Sequence, residues 1–237
     1  MMGYEAVFKN KQLMTGFVNS FIYMIVGTVI NLFMTLCCAF PLSRKEFVGR
    51  NVITTIFVFT MYFGGGLVPS YMLINNLGLL DTRWVMVIPT AMSVWNVILC
   101  RTYLQSTIPD TLFEAAQLDG CGEIRFLISI VTPLSKPILA VLALYYGVGH
   151  WNSYFHAMIY LNTPKLFPLQ IVLRDILILG KIDPLMIKDV DALVKKQGLS
   201  ELLKYAVIVV ASVPVLCIYP FVQKYFVSGV MIGALKG

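Results

Sequence analysis

From Leu13 to Leu42 the chain runs without one Asp, Glu, Lys or Arg, and it does so again from Val52 to Leu80. Pro137 to Thr163 and Tyr205 to Gln223 are equally charge-free, and the shorter run Trp84 to Cys100 extends through Thr82 and Thr102. A helix needs about 20 mostly apolar residues to cross the hydrocarbon core of a bilayer. These runs therefore restrict the chain to folds solvated largely by lipid. Composition agrees: 58% of the 237 residues are hydrophobic and 13% charged, with a mean hydropathy of +0.80, whereas soluble domains carry about a quarter charged residues. Too few charges remain to cover a water-facing surface. Barrel strands alternate in short segments and these runs do not. The predicted fold is all-α, a single polytopic membrane helix bundle over 1–237 with five spans near 15–40, 51–74, 84–105, 127–150 and 203–223.

Lys and Arg in short loops set orientation. Arg44, Lys45 and Arg50 crowd the loop 43–50, which is placed in the cytoplasm. Counting crossings then puts 75–83 outside, 101–126 inside, 151–202 outside and the tail with Lys224 and Lys236 inside. The amino terminus falls outside with no cleavable signal before the first span, because Met1 to Gln12 is polar and too short for one. A further span preceding this start in full-length relatives is the expectation; the alternative is a five-span protein with Lys9 and Lys11 translocated. The net charge of +6 is spread over loops beside an anionic leaflet, and no basic stripe with interleaved aromatics suggests a nucleic acid. Cys37, Cys38, Cys100, Cys121 and Cys217 show no Cys-x-x-Cys spacing and read as small buried hydrophobes.

One polar island interrupts this pattern. Ser106-Thr107-Ile108-Pro109-Asp110 is a helix start, with hydroxyl, Pro and acid in order. Asp110 and Glu114 share a face, Ala115 and Ala116 keep the helix slim, and Gly120 and Gly122 break it. Glu123 to Val131 then returns toward the membrane, where Pro133 and Pro137 permit a bend. The segment 106–126 is suited to receiving a push from a soluble partner.

Here the residues resemble a known family. The permeases of ABC importers carry a cytoplasmic loop reading Glu-Ala-Ala, three residues, Gly, nine residues, then Ile-x-Leu-Pro. This chain has Glu114, Ala115, Ala116, Gly120, Ile130 and Pro133 at those spacings, with Thr132 in place of Leu. The Asp119-Gly120 pair, Trp151-Asn152 and the tail Gly229 to Gly237 look like the carbohydrate-uptake branch. The resemblance runs from Leu13 onward and lacks the family's usual first helix. It implies that Glu114, Ala115, Ala116, Asp119 and Gly120 form a coupling contact with a separate ATPase dimer, Gly120 at the turn. It also implies a second homologous permease, an extracytoplasmic solute-binding protein, a sugar or oligosaccharide substrate and a place in the bacterial inner membrane. ATP and Mg would sit on the partner ATPase, with no cofactor in this chain and no chemistry of its own. For Glu114 a solvated helix carboxylate is the plain alternative. Asp110, Glu114, Asp119 and Glu123 lack the His or Cys that would support a metal or acid–base site.

A phosphate-binding loop needs Gly-x-x-x-x-Gly-Lys and a hydroxyl, whereas Gly64-Gly65-Gly66 is followed by Leu67-Val68-Pro69. Irregular backbone at membrane depth survives only against protein or a cavity, so Gly64, Gly65, Gly66 and Pro69 are a candidate gate, or a kink packed on a neighbour. Candidate pathway residues are Trp95, Asn96, Trp151, Asn152 and Tyr154, with Asn19, Asn31 and His156 beside them. Sugars offer apolar ring faces and hydroxyls, which aromatics and amides recognise. Trp151 and Tyr154 equally suit an interfacial belt. Asn96 stands out, since an amide deep in lipid must face an interior. His150 and His156 are six apart, a poor spacing for one metal. In the outer segment, Leu169 to Leu179 reads as an interfacial helix or a loop entering the pathway. Lys181 to Gly198 reads as a surface for an external partner, and Asp189-Val190-Asp191 lacks a calcium loop's spacing. Alternatives are an ABC permease for a peptide or polyamine, or a secondary transporter, which would carry charges well inside its spans, whereas Lys136 sits at a span's edge.

Overall fold

The computed structural model describes residues 10–177, 205–214, 216–217 and 220. The expected outer surface at Lys181 to Gly198, most of the last span beyond Pro214, the tail, and Met1 to Lys9 lie outside them. The helices are α1 (Lys11–Ser43), α2 (Arg50–Tyr62), α3 (Leu67–Asn76), α4 (Val94–Thr107), α5 (Asp110–Leu118), α6 (Glu123–Leu134), α7 (Lys136–Trp151), α8 (Tyr154–Tyr160), α9 (Leu169–Leu177) and α10 (Tyr205–Pro214). Among them only α1 is long and apolar enough to cross a membrane alone. The pairs α2–α3 and α6–α7 reach that length as bent units, turning by 112° and 82°.

The organising element is α1, which packs on α7, α4 and α9. Large apolar residues are spread around its circumference, so no strong amphipathic pattern marks its inner face. Its buried positions include Gly16, Ser20, Tyr23, Gly27, Asn31, Thr35 and Ala39, spaced three or four apart, which is one helix face. That face is small and polar. In lipid, burying Leu against a neighbour gains little over leaving it in lipid, so helices associate through small residues that allow close approach and through side-chain hydrogen bonds.

The polar members of this face serve backbone that has left the helix. Asn19 Nδ2 donates to the carbonyls of Lys165 (2.8 Å) and Phe167 (3.0 Å), and the Tyr23 hydroxyl donates to Leu166 (2.8 Å). Ser20 Oγ accepts the N–H of Leu169 at 2.9 Å. Asn31 Nδ2 donates to the Thr90 carbonyl. An unmet backbone group in a bilayer costs several kcal/mol, so these side chains are what permits the chain to run irregularly there.

The structure departs from the continuous helix expected over 84–105. A 3₁₀ turn at Arg83–Met86 and an irregular stretch precede α4, which starts only at Val94. Pro89 removes one donor, and the Asn31 bond to Thr90 stabilises the non-helical path. The outer segment, read as loop from 151 to 202, contains α8 and α9, and α9 lies against α1 rather than apart from the bundle. The bend between α6 and α7 falls at Ser135, between Pro133 and Pro137, with a π turn at Leu127–Val131 before it. Thr132, the residue that departs from the Ile-x-Leu-Pro pattern, donates its hydroxyl to the Leu127 carbonyl at 2.7 Å inside that turn.

Candidate functional site

Two places gather the candidate residues. The first is α5 and its turn. Phe113 and Ala116 face inward and join the core formed with Phe40, Leu104 and Phe126, while Glu114, Ala115, Asp119 and Gly120 are exposed. Of the five residues assigned to a coupling contact, Ala116 is thus turned into the bundle, 8% exposed. Gly120 has φ +73°, its N–H bonds the Gln117 carbonyl at 2.9 Å, and Cys121 N–H bonds Ala116 at 2.9 Å. This is a Schellman cap, which uses glycine because it reaches the left-handed region without strain. Leu118 (90% exposed) and Ile124 (76%) project beside this turn. Sequence reasoning passed over both, because in so apolar a chain one more Leu or Ile carries no signal.

The other end of α5 is anchored. Lys45 Nζ lies 2.8 Å from Asp110 Oδ2, and Arg44 Nη1 is 3.7 Å from Oδ1. The hydrogen bond from Lys45 holds the Asp110 carboxyl below the ordinary carboxylate range, and the same contact raises Lys45. Asp110 therefore binds the 43–50 loop to α5, besides favouring the helix start.

The second place is a cavity of about 500 Å³ lined by Thr90, Ser93, Asn96, Tyr146, His150 and His156, among others. Asn96 is buried there on the first turn of α4. The spacing of six between His150 and His156 does not keep them apart, because α7 ends at Trp151 and α8 restarts at Tyr154. His150 Nε2 donates to Asn31 Oδ1 at 2.6 Å and His156 Nε2 to the Val85 carbonyl at 2.8 Å; both acceptors lack a hydrogen, which makes Nε2 the protonated nitrogen. The Tyr146 hydroxyl accepts Ser93 N–H at 3.2 Å and shares a hydrogen with Thr35 at 2.7 Å. Among the described residues no cluster of three His, Cys, Asp or Glu is arranged for a metal.

The remaining pathway candidates scatter. Trp151 is 1% exposed and packs edge-on against Phe17 and Phe21, donating Nε1–H to Ala211 at 3.2 Å. It is a core residue at the junction of α1, α7 and α10, neither pathway nor belt. Trp95 is not among the residues that line the cavity and is 60% exposed. Asn152 is exposed with Gln170 Nε2 at 3.4 Å, and Tyr154 donates to Met158 Sδ at 3.0 Å. Asn19 and Asn31 are struts to backbone, as described. Gly64, Gly65 and Gly66 form the unwound corner between α2 and α3, exposed throughout together with Pro69.

Residues 13–232 match the family described as the inner membrane component of binding-protein-dependent transport systems. This chain belongs to that family. The permease is 39% identical over 239 residues to protein LplC of Bacillus subtilis, covering 99% of this chain and 78% of LplC. It is 37% identical to the polygalacturonan/rhamnogalacturonan transport system permease YtcP of the same organism, covering 99% and 81%. A crystal structure of a bacterial ABC transporter involved in import of the acidic polysaccharide alginate contains a similar chain, with TM-score 0.88, 34% identity, and 94% of the permease and 79% of that chain covered. The permease is accordingly an all-helical inner-membrane transport component.

Proposed function

We infer that the permease is one transmembrane subunit of an ABC importer for a sugar or oligosaccharide. It pairs with a second homologous permease to enclose a pathway, receives substrate from an extracytoplasmic binding protein and docks a separate ATPase through 106–126. The observation that carries this reading is the exposed turn of α5. Glu114, Ala115, Asp119 and Gly120 stand outward with Leu118, on a helix braced at its opposite end by Lys45 and Arg44, so a push on the turn is passed to α1 and α4. Asn96 and the cavity around it supply polar groups for a saccharide inside an apolar bundle. Relatives that handle polygalacturonan/rhamnogalacturonan, alginate and arabinooligosaccharides make saccharides the substrate class, with acidic ones first to test.

The experiment is affinity purification of the tagged permease from its own cells in mild detergent, followed by identification of what co-purifies. A second permease and an ATPase are expected. The Gly120→Val variant should insert normally but lose the ATPase and most uptake, since a branched side chain at φ +73° costs about 1–2 kcal/mol and misaims the turn. Normal ATPase retention by this variant would sink the coupling role. ATP hydrolysis by the reconstituted complex, stimulated by binding protein loaded with acidic but not neutral oligosaccharide, would assign the substrate.

A further inference from the structure

At the end of α1, beside α5, a cavity of about 410 Å³ is lined by Ser43, Arg44, Lys45, Arg50, Gln105 and Asp110, among others. Three cations meet one carboxylate in this lining. Lys45 and Asp110 satisfy each other at 2.8 Å, and Arg50 Nη1 donates to the Arg44 carbonyl at 3.3 Å, which leaves the remaining donors of the two guanidinium groups. Arg44 is 7% exposed and lies over the Phe113 ring, 4.0 Å from its centroid. Its nearest carboxylates, Glu46 at 3.6 Å and Asp110 at 3.7 Å, are beyond hydrogen-bond length. Its Nε and Nη2 are buried with no acceptor. A buried charged donor without an acceptor is costly, and the face of the Phe113 ring offers none to these two nitrogens.

We propose that this cavity is a phosphate-binding site in which Arg44 and Arg50 hold a phosphoryl oxyanion. The planar guanidinium fork suits phosphate oxygens. The source favoured by the surroundings is the headgroup of an anionic phospholipid. Val48, 92% exposed, and Phe47 stand out from the same loop, and Val52 follows at 64%, so apolar side chains that suit acyl chains flank the basic pocket. Basic residues at the end of a spanning helix attract anionic lipid by about 1 kcal/mol each. Only the choice of leaflet rests on the topology proposed above; the site does not depend on the transported solute.

The test uses the intact transporter complex, reconstituted into nanodiscs of phosphatidylcholine alone or mixed with phosphatidylglycerol. Retained lipid is then counted by native mass spectrometry, and inorganic phosphate is titrated separately in detergent. Arg44→Gln and Arg50→Gln are each expected to lower phosphatidylglycerol retention about fivefold, while Lys165→Gln, exposed and outside this cavity, changes nothing. Inorganic phosphate bound without lipid retention, and lost in the same two variants, supports the site with a soluble source. Retention that is equal in all variants, or no binding of either probe, overturns it. Should Arg44→Gln fail to fold, as judged by its melting temperature, Arg50→Gln alone decides.

Discussion

At the scale of single residues, Gly27 and Asp81 each hold two elements together. A Cβ built on Gly27 would lie 2.3 Å from His150 Nε2, whereas one on Gly149 meets nothing within 4 Å. Gly27→Ala should therefore push His150 off Asn31 and destabilise the protein by about 1–3 kcal/mol. Gly149→Ala, in the interior of α7, should be neutral or stabilise by up to about 1 kcal/mol. Melting temperatures of the two detergent-purified variants check the contrast, and equal shifts would refute it. Asp81 accepts the N–H groups of Asn162 (2.9 Å) and Thr163 (2.8 Å) together with the Thr163 hydroxyl. The Thr163 bonds hold its carboxyl below the ordinary carboxylate range. A depressed folded-state pKa contributes stability that is complete above the unfolded value and lost as pH falls through the folded one. Asp81→Asn should thus lower the melting temperature at neutral pH, and the gap from the unaltered protein should close in acid below the ordinary carboxylate range. A gap independent of pH would show that the charge is not what matters.

Among the helices, the glycine corner between α2 and α3 is where backbone chemistry dictates geometry. Gly66 has φ +85° and ψ 175°, a conformation essentially confined to glycine, and straining another residue into it costs of order 1–3 kcal/mol. No atom lies within 4 Å of a Cβ placed there, so Gly66→Ala tests the backbone alone. It should slow substrate-stimulated ATP hydrolysis while leaving the ATPase bound; unchanged hydrolysis would make the corner a passive kink. Such features were partly legible in the sequence. Gly64-Gly65-Gly66 announced the break, Gly120 the turn and Pro133 with Pro137 the bend, because glycine and proline act through local sterics. The path of 87–93 was not legible, since its support comes from Asn31 and Tyr146, far away in the chain. Trp151 read as pathway or belt for the same reason: its burial depends on Phe17, Phe21 and Ala211. A helix is one reading of Leu169 to Leu179, but the place of α9 against α1 was not legible, since it rests on the Ser20 contact.

Across the whole molecule, burial among the described residues is lopsided. No residue of α2 is buried and Ile74 is the only buried residue of α3, while Tyr62, Phe63 and Val68 are each more than 60% exposed. This flank is open to lipid or to the second permease proposed above. A ligand or subunit that binds only the folded state raises apparent stability by mass action. The permease purified within its complex should melt at a higher temperature than the permease alone, and cysteines placed at Tyr62 or Val68 should crosslink to the second permease. Equal melting temperatures and no crosslink would assign the flank to lipid.

The hydrogen bonds from α1 to 90 and to 165–169 carry a mechanical consequence. They run to one helix at separate heights, so sliding α1 by a single turn would break all of them together. Helix and irregular segments must travel as one chassis, and among the described residues whatever flexing accompanies transport is left to the corner at Gly64–Gly66 and to the joint at Ser135. Those are the two places where a spin label should report changing distances, while a pair on α1 and the 165–169 stretch should hold its separation through the cycle.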